Sequence, residues 1–211
     1  MRPYIKKCLK ICLPITFLTV VLLYSYHIMN MSAENIQKNI ADSIVRFHVI
    51  SAGDTEYEQS LKLIVKNSVI EFLETELALA SSKNETLEML DALTPEIVAT
   101  ANARLKENGS DLSVSASICD CYFPIKKYGD LTLPAGEYTA YRIVLGEGKG
   151  TNWWCVLYPQ LCFVDATYGV VPAESKAEFK TLLEETEYNV IFGKTVKFRF
   201  KFLTFLNDFF K

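Results

Sequence analysis

The spacing of apolar residues divides the chain into a helical middle and a strand-rich second half. Apolar residues recur every three or four positions over residues 56–80, which predicts an amphipathic helix. A short second helix is predicted over 85–93. A third helix is predicted with Thr94 as its N-cap and Pro95 as its first residue, and it is predicted to end at Gly109. Helical spacing returns over a later segment, 173–187.

Period-two alternation predicts strands in five segments: 43–51, 111–123, 137–146, 153–158 and part of the tail 194–211. In the first of these, Val45, Phe47 and Val49 share one face, and Arg46 and His48 lie on the other. Residues 126–136 are predicted to form a turn-rich loop, and 146–152 a flexible hairpin connection. Helices grouped early and strands grouped late favour an α+β fold, with a mainly antiparallel sheet covered by helices on one face.

The N-terminus combines a basic cluster with a long apolar run. No charged residue occurs from Ile11 to Ala33, and this length is enough to cross a bilayer core of about 30 Å as a helix. The basic residues precede the run: Arg2, Lys6, Lys7 and Lys10. They predict a cytoplasmic N-terminus and export of the rest of the chain. We therefore divide the chain into a signal peptide or membrane anchor (1–33), a linker or short stem helix (34–42) and an exported domain (43–211).

Net charge and cysteine content limit the classes of partner and ligand that fit the chain. A net charge of −3 argues against a nucleic-acid partner, which requires a basic face. Of the six cysteines, four lie in the predicted exported domain and allow three fully paired connectivities: Cys119, Cys121, Cys155 and Cys162. Their spacings do not match a zinc ribbon, and His48 is the only histidine of that domain. We therefore expect neither a metal nor a cofactor.

Catalytic residues are sparse. His48 could pair with Cys155 or Cys162 as a thiol hydrolase, with Asp165 as the third member, but no nucleophile motif surrounds either cysteine. A cell-wall hydrolase and a passive envelope protein therefore stay as alternatives. Trp153 and Trp154 point to opposite faces of an extended segment. One is expected in the core, and the other, if exposed, could serve as a binding anchor.

Three segments carry a family resemblance: "VRFHVISAGD", "QSLKLIVKNSVIEFL" and "FPIKKYGDLTLPAGEYTAYRIVLGEGKGTNWWCVLYPQLCFVD". Together they resemble stage II sporulation protein R of endospore-forming Firmicutes. The glycine-rich turn that runs into N-W-W-C-V-L and L-C-F-V-D is the most specific part. The family pattern has Phe-Pro-Pro where this chain has Tyr158-Pro159-Gln160, and Ala-Asn-Ser-Asp where it has residues 51–54. The C-x-C at Cys119 and Cys121 is not part of the resemblance.

The resemblance implies a signalling protein rather than an enzyme. Family members are made in the forespore and exported into the space that faces the mother cell. There they activate a membrane-embedded aspartic protease, which removes the pro-sequence of the sporulation sigma factor sigma-E. The resemblance also implies a Cys155–Cys162 disulfide and a set of partner-binding residues: Arg46, His48, Gly148, Gly150, Asn152, Trp153, Trp154 and Asp165.

Overall fold

The computed structural model describes residues 3–162 and 170–193. Within these ranges the helices are α1 (Pro3–Ser43), α2 (Glu56–Glu76), α3 (Lys83–Glu107), α4 (Ala173–Leu182) and α5 (Glu185–Ile191). The strands are β1 (Val45–Ile50), β2 (Val114–Phe123), β3 (Lys126–Tyr128), β4 (Leu131–Leu133), β5 (Gly136–Leu145) and β6 (Asn152–Tyr158). Asp165 and the predicted tail strand lie outside the described residues.

Local sequence signals explain where α2 begins and which side it buries. The Thr55 side chain accepts from the Glu58 backbone amide, and the Glu58 carboxylate accepts from the Thr55 amide, which forms a capping box. Of the predicted apolar stripe, Leu61, Val65 and Leu73 are buried, whereas Ile64 and Phe72 are partly buried; Val69 is also buried. The helix is confirmed, although it ends at Glu76 rather than near residue 80.

Helix α3 corrects the prediction of two separate helices. It runs without interruption through Pro95 and begins after Ser82, whose side chain accepts from the Glu85 amide. Thr94 is not a cap, because its hydroxyl contacts the Leu90 carbonyl oxygen at 2.7 Å and the Tyr141 hydroxyl at 3.0 Å. The packed tertiary structure thus places Thr94 inside a continuous helix.

The main sheet has the strand order β2-β5-β1-β6. Strand β1 pairs parallel with β5 and antiparallel with β6, while β2 pairs antiparallel with β5. The hairpin predicted between 137–146 and 153–158 is therefore wrong, because β1 lies between these two strands. Their connection, 146–151, instead crosses the C-terminal end of β1. The sheet is mainly antiparallel, as predicted, and the fold class is α+β.

Both faces of the sheet are covered, which corrects the expectation of one covered face. The first face, which carries Phe47, packs on α2 and α3 in one core. The second face, which carries Arg46 and His48, lies in a second core built on Val156 and Ala140. That second core is closed by residues of α1, of the junction that follows it, of α4 and α5, and of the small β3–β4 sheet: Ile40, Ile44, Phe179, Ile191, Leu131 and Leu133.

Several local predictions change accordingly. Residues 126–136, predicted as a loop, contain the β3–β4 hairpin with the turn at Gly129–Asp130. The helix predicted over 173–187 is divided into α4 and α5. Leu183, which is buried in the second core, and Glu184 separate these two helices.

The stem between the apolar run and the domain is helical rather than a linker. Helix α1 continues to Ser43, and Ile40 and Ile44 near its C-terminal end are fully buried in the second core. Its Cys12–Ser43 portion is long and apolar enough to cross a membrane, with a mean hydropathy of 1.7 and none of the apolar window buried. A signal sequence near the N-terminus meets the same criteria of length and apolar composition. The helix thus enters the folded domain directly, at the start of β1.

Candidate functional site

The connection between β5 and β6 is fastened to the turn that follows β1. The Asp54 carboxylate accepts from the Thr151 amide at 2.6 Å and from its hydroxyl at 2.7 Å, and Gln59 Nε2 donates to the same carboxylate at 3.1 Å. The two hydrogen bonds from Thr151, side chain first, lower the pKa of Asp54. The Gly150 amide also donates to the Ser51 carbonyl oxygen at 2.9 Å. We call residues 51–54 and 146–152 together the loop end.

The structure explains why glycine occupies two positions of the loop end that belong to the family resemblance. Gly148 has φ +64°, a left-handed conformation that favours glycine. Gly150 lies against the backbone of Gly53, where an added Cβ would overlap the carbonyl group. The predicted flexible connection is therefore a tightly packed loop. Its charged side chains, Glu147 and Lys149, are exposed and form an ion pair with each other.

A buried lysine of α2 connects that helix to the loop end through hydrogen bonds. Lys62 of α2 is 6 % exposed, and its Nζ donates to the Thr151 carbonyl oxygen at 3.0 Å and to Gln59 Oε1. Burial is the largest cause of the lowered pKa of Lys62, and the charge of Asp54 opposes it. Because the ammonium group contacts the loop backbone, α2 fixes the loop relative to the sheet.

The two tryptophans lie on opposite faces of β6, as their adjacency predicted. Trp153 packs edge-on against Phe47 of the first core, with Lys66 Nζ 5.0 Å from its ring. Trp154 lies on the second face and stacks on His48, with ring centroids 4.9 Å apart. Both indoles are half-buried, so each is an anchor for the edge strand β6 as well as part of its surface.

Arg46 occupies the middle of the second face and is fully buried. Its guanidinium lies 4.2 Å from the Phe123 ring and 5.0 Å from the Tyr138 ring. Nε donates to the Cys155 carbonyl oxygen at 3.1 Å and Nη2 to the Tyr128 hydroxyl at 3.0 Å. Nη1 has no hydrogen-bond partner within the described residues. Arg46 therefore holds β1, β2, β3, β5 and β6 together through one side chain.

His48 lies beside Arg46 and is 4 % exposed. Its ring is stacked on Trp154 and tilted against Phe123 at 5.2 Å, and these two aromatic rings touch each other at 4.7 Å. Phe123 and Trp154 belong to the two edge strands, so the sheet curls over its second face. Burial, followed by the positive charges of Arg142 and Arg46, lowers the pKa of His48 to about 4.

Two sulfur pairs lie on different faces of the sheet. A disulfide joins Cys119 and Cys121, two positions apart on β2 and close to His48 on the second face. The thiol pair of Cys155, which is buried, and Cys162, which is partly buried, lies on the first face, where Cys162 Sγ donates to the Val156 carbonyl oxygen at 2.8 Å. Burial and the neighbouring Cys155 raise the pKa of Cys162. The disulfide expected between Cys155 and Cys162 is not formed in this structure and stays a prediction.

These positions argue against the thiol-hydrolase alternative. His48 and Cys155 lie on opposite faces of the sheet, so the imidazole cannot accept a proton from that thiol. Cys162 contacts the same face as Cys155, and burial makes its thiolate unfavourable. Asp165, the third member, lies outside the described residues.

The predicted partner-binding residues fall into two groups. Gly148, Gly150 and Asn152 come together in the loop end, which Trp153 continues. Arg46 and His48 form the second group with Trp154, which is half-buried and stacks on His48. Because Arg46 and His48 are buried, in this structure they support the sheet from inside rather than form a surface. Asp165 lies outside the described residues.

The residues that organise these two groups were missed from the sequence: Asp54, Lys62, Phe123, Tyr128 and Thr151. The "SAGD" turn before a capped helix was the available signal for Asp54.

The fold and the site define an α+β protein that carries its folded domain at the end of a long apolar helix. A family model for stage II sporulation protein R matches residues 41–168. The chain is 34 % identical over 159 residues to the stage II sporulation protein R of Bacillus subtilis (strain 168), which covers 72 % of this chain and 71 % of that protein. No solved structure matches. The chain belongs to the stage II sporulation protein R family, as its sequence resemblance predicted.

Proposed function

We propose that this protein is an exported signal of sporulation, made in the forespore, that activates a membrane-embedded aspartic protease of the mother cell. That protease removes the pro-sequence of the sporulation sigma factor sigma-E. The observation that carries the proposal is the family match, which spans residues 41–168 and so includes the entire main sheet. The signalling role itself rests on the resemblance described above.

The N-terminal helix supports export as the route of delivery. Its apolar part follows a basic cluster, which favours a cytoplasmic N-terminus and a translocated domain. The helix enters the domain at the start of β1, and the loop end follows the other end of that strand. Six residues of strand separate the two by roughly 20 Å. The loop end therefore lies at the end of the sheet opposite the helix entry, a position that suits a partner in an opposing membrane.

The loop end is the surface that best suits such a partner. It is fixed by Asp54 and Lys62, so little conformational entropy is lost when it binds. Its exposed charges, Glu147 and Lys149, lie at the tip of the connection. A rigid, charged tip provides orientation and specificity to an encounter.

Deletion of the gene tests the proposal. In the strain that lacks it, sporulation is expected to stop after asymmetric division, and unprocessed sigma-E precursor is expected to accumulate on an immunoblot. Normal processing in a deletion strain without a second copy would contradict the proposal. Purified protein that cleaves peptidoglycan would favour the hydrolase alternative instead.

Two matched charge reversals test the surface. Lys149→Glu changes the tip of the loop end, whereas Lys127→Glu changes an exposed lysine of β3 at the opposite end of the sheet. Both side chains are exposed, so neither change is expected to alter folding by more than about 0.5 kcal/mol. We expect Lys149→Glu alone to reduce precursor processing at equal protein levels. Equal processing in the two strains would remove the loop end as the contact surface.

A further inference from the structure

The second face brings together three side chains whose chemistry no sequence motif connects. His48 of β1 and the two cysteines of β2, Cys119 and Cys121, place one ring nitrogen and two sulfur atoms within 4.8 Å of one another. More than 70 residues of sequence separate the histidine from the cysteines. They meet because the sheet curls over this face, as the contact between Phe123 and Trp154 also demonstrates.

We propose that these three residues, with both cysteines reduced, form a binding site for a thiophilic divalent cation such as Zn²⁺. Two thiolates and one imidazole are donors that zinc prefers, and they leave a fourth tetrahedral position for water. Zinc–ligand bonds of about 2.0–2.3 Å place neighbouring donor atoms roughly 3.5–3.8 Å apart. Cys121 Sγ and His48 Nε2 are 3.8 Å apart. The proposal goes beyond the signalling function and does not depend on it.

The surroundings of the histidine point independently to a ligand. The imidazole is 4 % exposed, and its Nδ1 has no hydrogen-bond partner within the described residues. Its Nε2 faces the Cys121 sulfur, which is a weak partner. Because a buried nitrogen with only a weak partner is costly, a cation at Nε2 would give that nitrogen a strong partner, while Nδ1 would carry the ring proton.

The strand positions suit a chelating pair. Cys119 and Cys121 lie on the same face of β2, with Cα atoms 6.0 Å apart, and both are half-buried, so ions can enter from solvent. Asp120 between them points to the other face and is exposed. Two thiolates neutralise a divalent ion, so the complex adds no net charge beside Arg46 and Arg142.

The disulfide of the structure is the oxidised, metal-free form of the same pair. A dithiol reductant delivers two electrons and two protons to the sulfur–sulfur bond and becomes a disulfide itself, which leaves two thiols on β2. The incoming cation then displaces both thiol protons. Oxidation of the pair therefore competes with metal binding.

Cobalt titration of the full-length chain in detergent tests the site. The protein is reduced with a dithiol, freed of reductant under nitrogen and titrated with Co²⁺, whose thiolate charge-transfer and tetrahedral d–d absorption report the ligands. We expect one equivalent of Co²⁺ to bind, and Zn²⁺ to displace it. The matched control Cys155→Ser/Cys162→Ser is expected to keep the absorption, and Cys119→Ser/Cys121→Ser to lose it.

The outcomes against the proposal are equally specific. Absence of cobalt absorption in the reduced wild-type chain overturns the site, as does absorption that persists in the Cys119→Ser/Cys121→Ser chain. His48→Gln is expected to weaken binding at least about tenfold, and unchanged affinity would remove the histidine as a ligand. Zn²⁺ is also expected to slow alkylation of Cys119 and Cys121 in the wild-type chain. An unchanged alkylation rate refutes the site without relying on any variant.

Discussion

The substitution Ile40→Ala tests whether the end of α1 is part of the folded domain. Ile40 is fully buried in the second core, beside Ile44. The change removes three side-chain carbons, and at about 0.8 kcal/mol each the transfer cost is about 2.4 kcal/mol. The remaining cavity raises the expected loss of unfolding free energy to about 3–4 kcal/mol. For a domain of this size, that lowers the melting temperature by roughly 6–16 °C.

Urea unfolding of the chain from Ala33 onward, followed by tryptophan fluorescence and far-ultraviolet circular dichroism, measures this loss. Lys38→Ala is the matched control, because Lys38 is exposed and lies two positions away on the same helix. We expect the control to change the unfolding free energy by no more than about 0.5 kcal/mol. If Ile40→Ala costs less than about 1 kcal/mol, the segment is a tether and the packing of α1 against the second core is refuted.

Three further predictions concern the loop end, the thiols and the N-terminus. Asp54→Asn weakens the hydrogen bonds from Thr151, so we expect faster hydrogen exchange of the Thr151 amide. The control Glu147→Gln is expected to leave that exchange rate unchanged. Equal exchange rates in the two variants would contradict the role of Asp54 in holding the loop. The thiol pair Cys155 and Cys162 is expected to take up alkylating agent only after unfolding without reductant, and failure of these two positions to be labelled in the unfolded chain would support the predicted disulfide. Replacement of residues 1–32 by an unrelated cleavable signal keeps the buried part of α1 and is expected to preserve signalling; loss of signalling despite export would assign the native segment a further role.

The elements with local signals were predicted well. The stripe of Leu61 and Val65 predicted α2, and the alternation around Phe47 predicted both β1 and its two faces. In each case the pattern reflects burial on one side of a regular element, which neighbouring residues alone determine.

The errors arose where distant parts of the chain decide the structure. Thr94 and Pro95 have the sequence of a helix start, but packing against Tyr141 keeps α3 continuous. The strands β5 and β6 are neighbours in sequence, yet β1 is inserted between them. A search for metal ligands by spacing likewise missed His48 as a neighbour of Cys119 and Cys121, because the curl of the sheet creates that proximity.

Strand β1 couples the structure of the second face to the structure of the loop end. His48 stacks on Trp154, and β6 begins only two residues earlier, where the fastened loop ends. Since Arg46 also bonds to the β6 backbone, a change at either buried residue shifts the strand that carries the loop. Loss of signalling in an Arg46 or His48 variant would therefore not place the partner on the second face. Only exposed changes such as Lys149→Glu, which leave these buried contacts intact, separate a contact with the partner from support of the sheet.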